Sequence, residues 1–229
     1  KVYMSLSWSY SSLNLFQQCP KKYYHLKVAK DIKEKQTQAL IYGNEVHKAA
    51  EEYVANDVEL PEQFQIFAKP IHKIKNMKGE KHCELKLGMT KDLKPCGFLD
   101  DNVWWRGIID LLIVDGDKGK IIDYKTGKNS KYADTKQLDL FTVAAFTHFP
   151  NLASIKAGLL YLVTNDFITK SYVKGDVIGI VSNFCKEVDI MDTCYKEDVW
   201  NAKPNFTCYK FCPVLHCPHN GKGKLCLQK

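Results

Sequence analysis

The period of the apolar positions changes several times along the chain, and each change marks an expected element. Leu13, Phe16, Tyr23 and Leu26 recur at helical spacing within residues 5–27, with Cys19-Pro20 between them. This predicts a short helix, a turn at the proline and a second helical stretch. A longer helix is expected over residues 36–56, with Leu40, Val46, Ala49, Ala50 and Tyr53 on one face. Pro61, Pro70 and Gly79 break the pattern across residues 57–80 and leave a short helix among loops. Lys81 to Leu87 then alternates as a strand does.

The middle of the chain is the most strongly patterned part. Trp104, Trp105, Ile108, Ile109, Leu111, Leu112 and Ile113 make Val103 to Val114 a β-rich run. Asp115-Gly116-Asp117-Lys118 is a hairpin turn, and Lys120 to Lys125 is its return strand. An amphipathic helix follows over 134–148 through Leu138, Phe141, Ala145 and Phe146. A buried strand is expected over 157–164 and an edge strand over 167–173. Residues 176–200 read as a long helix with Ile178, Val181, Phe184, Val188, Met191 and Tyr195 inward. The chain shows no repeats and no low-complexity segments. The expected layout is one α/β domain in three consecutive regions: a helical front (1–80), an α/β core (81–200) and a cysteine-rich tail (201–229).

Composition adds constraints. Apolar residues make up 45% and charged residues 26%, which suits a globular chain of 229 residues. No apolar run approaches the roughly 18–20 residues that span a bilayer, so a soluble intracellular protein is expected, without membrane partners. The chain opens on Lys1 with no secretory signal, and a missing native start is compatible with this. The net charge of +7 fits either a solvated lysine-rich surface or a polyanion-binding face. Arg106 is the only arginine. Lysine binds phosphate as a mobile point charge, which suits backbone contact better than base reading. Of nine cysteines, Cys83, Cys96, Cys185 and Cys194 lie in patterned stretches and read as core fillers. Cys208, Cys212 and Cys217 crowd a short polar tail that packing does not explain, and Cys226 has no assignment.

The hairpin places side chains. With the turn at 115–118, Val114 pairs with Gly119, and Asp110 comes opposite Asp123 on the same face, about 5 Å apart at Cβ. Alternation puts Lys125 on that face too. Two carboxylates this close repel unless a cation lies between them, and Mg²⁺ or Mn²⁺ is the usual oxygen-liganded one. A lysine beside it can polarise a water or stabilise charge on a phosphate, a combination suited to phosphodiester hydrolysis. An ordinary hairpin with a salt-bridging lysine would carry the same three residues.

Five motifs in order widen the pattern: Ser11 to Pro20 as Ser-x-Leu-x-x-Phe-x-x-Cys-Pro with Tyr23 and Tyr24 following; Gly43 to His47 as Gly-x-x-x-His; Gly107 to Asp110 as Gly-x-x-Asp; Asp123 to Gly127 as Asp-Tyr-Lys-Thr-Gly; and Gln137 to Phe141 as Gln-x-x-x-aromatic. Over most of its length the chain thereby resembles the RecB-type branch of the PD-(D/E)XK nucleases, which includes RecB and AddB nuclease domains and CRISPR adaptation nucleases. The resemblance implies a restriction-endonuclease-like α/β core, a central mixed sheet flanked by helices. It implies that Asp110, Asp123, His47 and the Tyr124 carbonyl hold Mg²⁺ or Mn²⁺, with Asp110, Asp123 and Lys125 catalytic and Lys125 handling the attacking water. Gln137, Phe141, Tyr23 and Tyr24 would contact DNA, with Trp8 and Tyr10 as further stacking candidates, and Phe141 stands where a tyrosine is common. Glu84 is either an outer carboxylate or a surface residue.

Several relatives hold a 4Fe–4S cluster with three clustered cysteines and one remote cysteine, which implies Cys19, Cys208, Cys212 and Cys217 here as a staple between the chain ends. The middle cysteine is displaced by one from the common spacing. Zinc is the rival, with His216 or His219 as substitute ligands. The implied activity is that of a Mg²⁺- or Mn²⁺-dependent exodeoxyribonuclease acting on single-stranded DNA or DNA ends in replication, recombination or repair. The alternatives are a CRISPR-adaptation-type or helicase-associated nuclease subunit, and a non-cleaving single-strand binding module. No phosphate-cradling Gly-x-x-x-x-Gly-Lys-Ser/Thr loop is present, so any motor would be a partner.

Overall fold

The computed structural model describes residues 6–131 and 133–222, so Ser5 and Cys226 lie outside the described residues. The chain groups into two units: residues 37–183 form one, and the two chain ends, 1–36 and 184–229, form the other.

In the larger unit six strands follow the order β2-β1-β3-β4-β5-β6. They are β1 (Glu80–Met89), β2 (Pro95–Cys96), β3 (Trp105–Asp115), β4 (Lys118–Lys125), β5 (Ser154–Tyr161) and β6 (Asp166–Val173). Neighbours are antiparallel except β4 and β5. That parallel pair needs a crossover, and an α-helix over Lys136–His148 supplies it. The β3–β4 hairpin closes on Gly116-Asp117, with Gly116 at φ +62, the left-handed geometry that matches strand twist. Val114 pairs with Gly119 and Asp115 with Lys118, the register expected from the turn.

A helix over Gln38–Asn56 covers one face of the sheet. It starts where the Thr37 hydroxyl accepts from the Leu40 N–H and stops at Asp57 in a left-handed conformation. Val46, Ala50 and Val54 pack with Phe64, Phe67 and Ile71 over Leu111, Ile122 and Tyr124. Leu40, expected inward, is exposed, because the core begins at Val46, past the first helical turns. On the crossover helix Phe141 is buried edge-on to Trp105, with ring centroids 6.4 Å apart. Both rings lie over Gly107, where an added Cβ would come within 2.6 Å of Trp105 and 3.0 Å of Phe141. The Gly-x-x-Asp glycine is thus dictated by space.

In the other unit, a helix over Tyr10–Gln18 is capped by the reciprocal Ser9–Ser12 pair. Cys19 is extended, and Pro20 opens the next helical turn, Pro20–Tyr23, where its missing N–H costs nothing. Lys203 Nζ donates to the Gln17 carbonyl (2.9 Å) and Asn205 Nδ2 to the Gln18 carbonyl (3.2 Å), pinning the tail to this front segment. The long helix runs Val177–Glu197. Phe184, Val188 and Met191 are buried as expected, but Ile178 is 78% exposed and Ile180 is buried in its place. Cys83 is half-buried and packs against the core as expected, whereas Cys96 and Cys194 are only half-buried and Cys185 is exposed. Cys185 follows the inward Phe184 by one residue, which turns it to solvent. Among the described residues no helix is long and apolar enough to cross a membrane.

Candidate active site

The β3–β4 ladder runs from Asp115–Lys118 to Leu111–Ile122 and has no rung between Asp110 and Asp123. The Asp110 carboxylate instead accepts the Tyr124 backbone N–H at 2.8 Å. On the other side of β3, pairing with β1 passes from Cys83–Leu111 to Leu85–Ile109 and skips Glu84. Glu84 sits at φ +47, a left-handed conformation that costs a non-glycine residue on the order of 1 kcal/mol. Both ladders are therefore interrupted at the level of Asp110. The sheet opens where its carboxylates gather.

His47 reaches the opening from its helix, with Nδ1 3.3 Å from Asp110 Oδ2 and its ring edge-on to Tyr124. Among the described residues, His47, Glu84 and Asp110 are the three ligand-type side chains whose donor atoms lie within 4.8 Å of one another. Asp123, only 4% exposed, carries the Lys125 ammonium on Oδ2 at 2.5 Å. The expected set of Asp110, Asp123, Lys125, His47 and the Tyr124 backbone is thus brought to one place, and Glu84 joins it. Strand alternation could not have shown this, because Glu84 departs from strand geometry.

The electrostatics is that of an acid cluster seeking a cation. Burial and then the Asp110 charge push the Asp123 carboxyl up to about 6, against the opposing pull of Lys125 and His47. Burial, Asp110 and Glu51 likewise raise Glu84, opposed by His47 and Lys86. Burial acts to lower His47, but the Asp110 hydrogen bond and charge, the Asp123 charge and the Tyr124 backbone outweigh it and hold the imidazole above 6.5. Carboxylates, an imidazole and a backbone carbonyl form a donor set that fits a hard divalent cation.

A pH dependence follows. Asp123 is raised above its ordinary 3.8, so its stabilising contribution is complete below that value and lost as pH rises through about 6. A cation bound here would have to displace protons from this group and from His47. Below about pH 6 the apparent Mn²⁺ affinity should fall by about tenfold per pH unit for each proton displaced. Calorimetric titration at pH 5 and 7.5 measures it, and equal affinities would contradict the coupling.

Gln137 lies half-buried in the first turn of the crossover helix, and Phe141 is a packing residue. Tyr23 is buried, its ring edge-on to Phe16 and tilted over Trp200 and its hydroxyl 2.8 Å from that of Tyr195. Tyr24 lies half-buried against Trp200, 5.4 Å between centroids, and Trp8 is fully buried. Tyr23 and Trp8 are therefore core rings that present no face to a base, whereas Tyr10 and Tyr24 are partly exposed.

Cys19, Cys208, Cys212 and Cys217 line a single cavity with Lys21, Lys22 and His219. Backbone N–H groups of Lys203 and Asn205 donate to the sulfurs of Cys19 and Cys208, each at 3.4 Å. Burial raises the Cys212 thiol, while the Val214 N–H works the other way. Sequence reading missed the buried Asn220, whose amide donates to the Cys212 carbonyl and whose N–H donates to that of Cys217. His216 turns to His25, 3.2 Å between ring nitrogens, and is not among the residues lining the cavity.

A sequence profile of the PD-(D/E)XK nuclease superfamily matches residues 7–73 and 68–217. Among solved structures, the protein designated SSO0001 superposes with a TM-score of 0.52 at 14% identity, over 96% of this chain and 90% of that one. A candidate exonuclease from Eubacterium rectale gives 0.52 at 14%, over 92% and 86%. At such identity the likeness is one of fold. No curated protein matches the sequence.

Proposed function

Because the chain belongs to the PD-(D/E)XK nuclease superfamily, we propose that it is a divalent-metal-dependent deoxyribonuclease whose centre is the break in the sheet at Asp110. The convergence of His47, Glu84 and Asp110 beside the Asp123–Lys125 pair carries this reading. Asp110, Asp123, His47 and the Tyr124 carbonyl would hold Mg²⁺ or Mn²⁺, with Glu84 as an added carboxylate. Such a cation supplies charge neutralisation at the phosphate and a more acidic bound water. Lys125 would orient the attacking water and stabilise developing negative charge, held in place by Asp123. Gln137 would contact the strand near the scissile bond.

An exonuclease acting on single strands or DNA ends is the finer reading, supported by the ordered motif set and by a fold shared with a candidate exonuclease. A helicase or other recombination partner would supply such ends. The intact Asp110, Asp123 and Lys125 set speaks against a module that only binds. End-labelled single- and double-stranded DNA incubated with Mn²⁺ tests the proposal. Stepwise release of short products, stopped by chelator, is expected. A ladder of internal cuts would reject the exonuclease reading, and cleavage that persists in chelator would reject the metal site.

The cysteine cavity fits an inorganic centre, since backbone donors already face its sulfurs. A tetrahedral zinc would hold its sulfurs about 3.8 Å apart at Zn–S bonds near 2.3 Å. Four cysteines drawn from the two chain ends suit a 4Fe–4S cluster as a staple between those ends, with zinc as the alternative.

A further inference from the structure

The net charge is distributed unevenly. Residues 37–183 carry 19 Lys and Arg against 19 Asp and Glu, so the unit that holds the candidate active site is neutral. The two chain ends hold the remaining 14 basic and 7 acidic residues, and with them the whole +7. Neither residues 1–30 nor residues 199–229 contain a single Asp or Glu.

Within that basic unit the tail exposes large apolar side chains that a folded surface usually covers. Phe206 is 86% exposed, Phe211 71%, Tyr209 63% and Leu215 55%, all within ten residues. The backbone beneath them is fixed: Phe211 and Cys212 both donate to the Thr207 carbonyl, and Cys208 and Cys212 face the shared cavity. The Tyr209 ring rests on Gly221, where any Cβ would collide with it. Exposed Lys203, Lys210 and Lys222 are interleaved with these rings. The Lys203 ammonium donates to the Gln17 carbonyl, and among the described residues no carboxylate pairs with Lys203 or Lys210.

Exposed aromatic rings alternating with lysines suit two contacts at once: bases can stack on the rings, and phosphates can sit on the ammonium groups. Protein-binding patches differ in that charged residues are depleted from the apolar centre. We propose that residues 203–222 form a sequence-independent grip for single-stranded nucleic acid, with Phe206, Tyr209 and Phe211 as the stacking platform. This cysteine-anchored surface, rather than the neutral catalytic unit, supplies most of the affinity. The inference rests on the nuclease reading for its substrate class, and it places the stacking role on tail residues instead of on Tyr23.

The test compares full-length chains carrying Phe206→Ala with Phe211→Ala, Phe206→Tyr with Phe211→Trp, and Lys210→Ala, using a fluorescent oligothymidine. Anisotropy is read in a Lys125→Ala background, and cleavage in the otherwise unaltered chain. The double alanine chain should bind at least about tenfold more weakly, at 1–3 kcal/mol per lost stack. Its cleavage defect should fall on KM rather than kcat, and the aromatic replacements should restore binding. Lys210→Ala should reduce the slope of log affinity against log salt by about 0.7. Melting should be unchanged, since the rings are exposed. Unaltered affinity and KM in the double alanine chain would overturn the grip and leave the nuclease reading standing, including when only binding to another protein is lost. Weakened binding with no cleavage by the unaltered chain would keep the grip and sink the nuclease reading. Neither binding nor cleavage by the unaltered chain would sink both.

Discussion

Lys125→Ala should reduce cleavage by about 10²–10³-fold while leaving the fold intact. The ammonium lies 2.5 Å from the buried Asp123 carboxylate and sets a positive charge against it. Its removal leaves Asp123 facing Asp110, with His47 the remaining cationic influence. Because Lys125 pulls the Asp123 proton affinity down, the variant's carboxyl should rise further in the metal-free chain. Protonation spares the fold the cost of a buried unpaired charge, so melting near pH 6 should move little. Lys125→Arg should restore little activity, since a planar guanidinium cannot place its charge at the point an ammonium occupies. Single-turnover rates at saturating Mn²⁺, with calorimetric Mn²⁺ binding alongside, measure the effect. Equal rates in Lys125→Ala and the unaltered chain would remove this site from the chemistry.

Cys19→Ala should be the most destabilising of the cysteine substitutions. Cys19 lies in the front segment and its three cysteine neighbours in the cavity lie in the tail, so the proposed inorganic centre would close a loop of nearly the whole chain. Crosslinks that close loops beyond 100 residues are worth on the order of 4–5 kcal/mol through the entropy of the unfolded chain. A loss of that order should show in the denaturation midpoint of anaerobically purified protein, together with loss of brown colour and iron. Cys185→Ala is the control, because that side chain is exposed. Cleavage per folded Cys19→Ala molecule should change far less than stability. An unchanged midpoint with unchanged metal content would mean that the cavity holds no staple.

The sequence itself determined the features that a few neighbouring residues encode. Gly116-Asp117 between two alternating runs set the hairpin and its register, which carry Asp110 and Asp123 on adjacent strands. The edge position of β6 and the helix between β4 and β5 were equally legible from strand and helix periods, while the parallel pairing of those strands came only from the structure. Periodicity names a face without saying where that face begins to be covered, so Leu40 and Ile178 were expected inward and are exposed. The break in both ladders at Asp110 and the entry of Glu84 arise from a backbone conformation that strand alternation excludes. Aromatic content likewise pointed to Tyr23, whereas the structure buries Tyr23 and leaves Phe206 and Phe211 open. Turns and registers are local choices made by adjacent backbone dihedrals. Which side chain stays in water is decided by segments nearly two hundred residues apart, as where Lys203 meets Gln17, and only the folded chain brings those together.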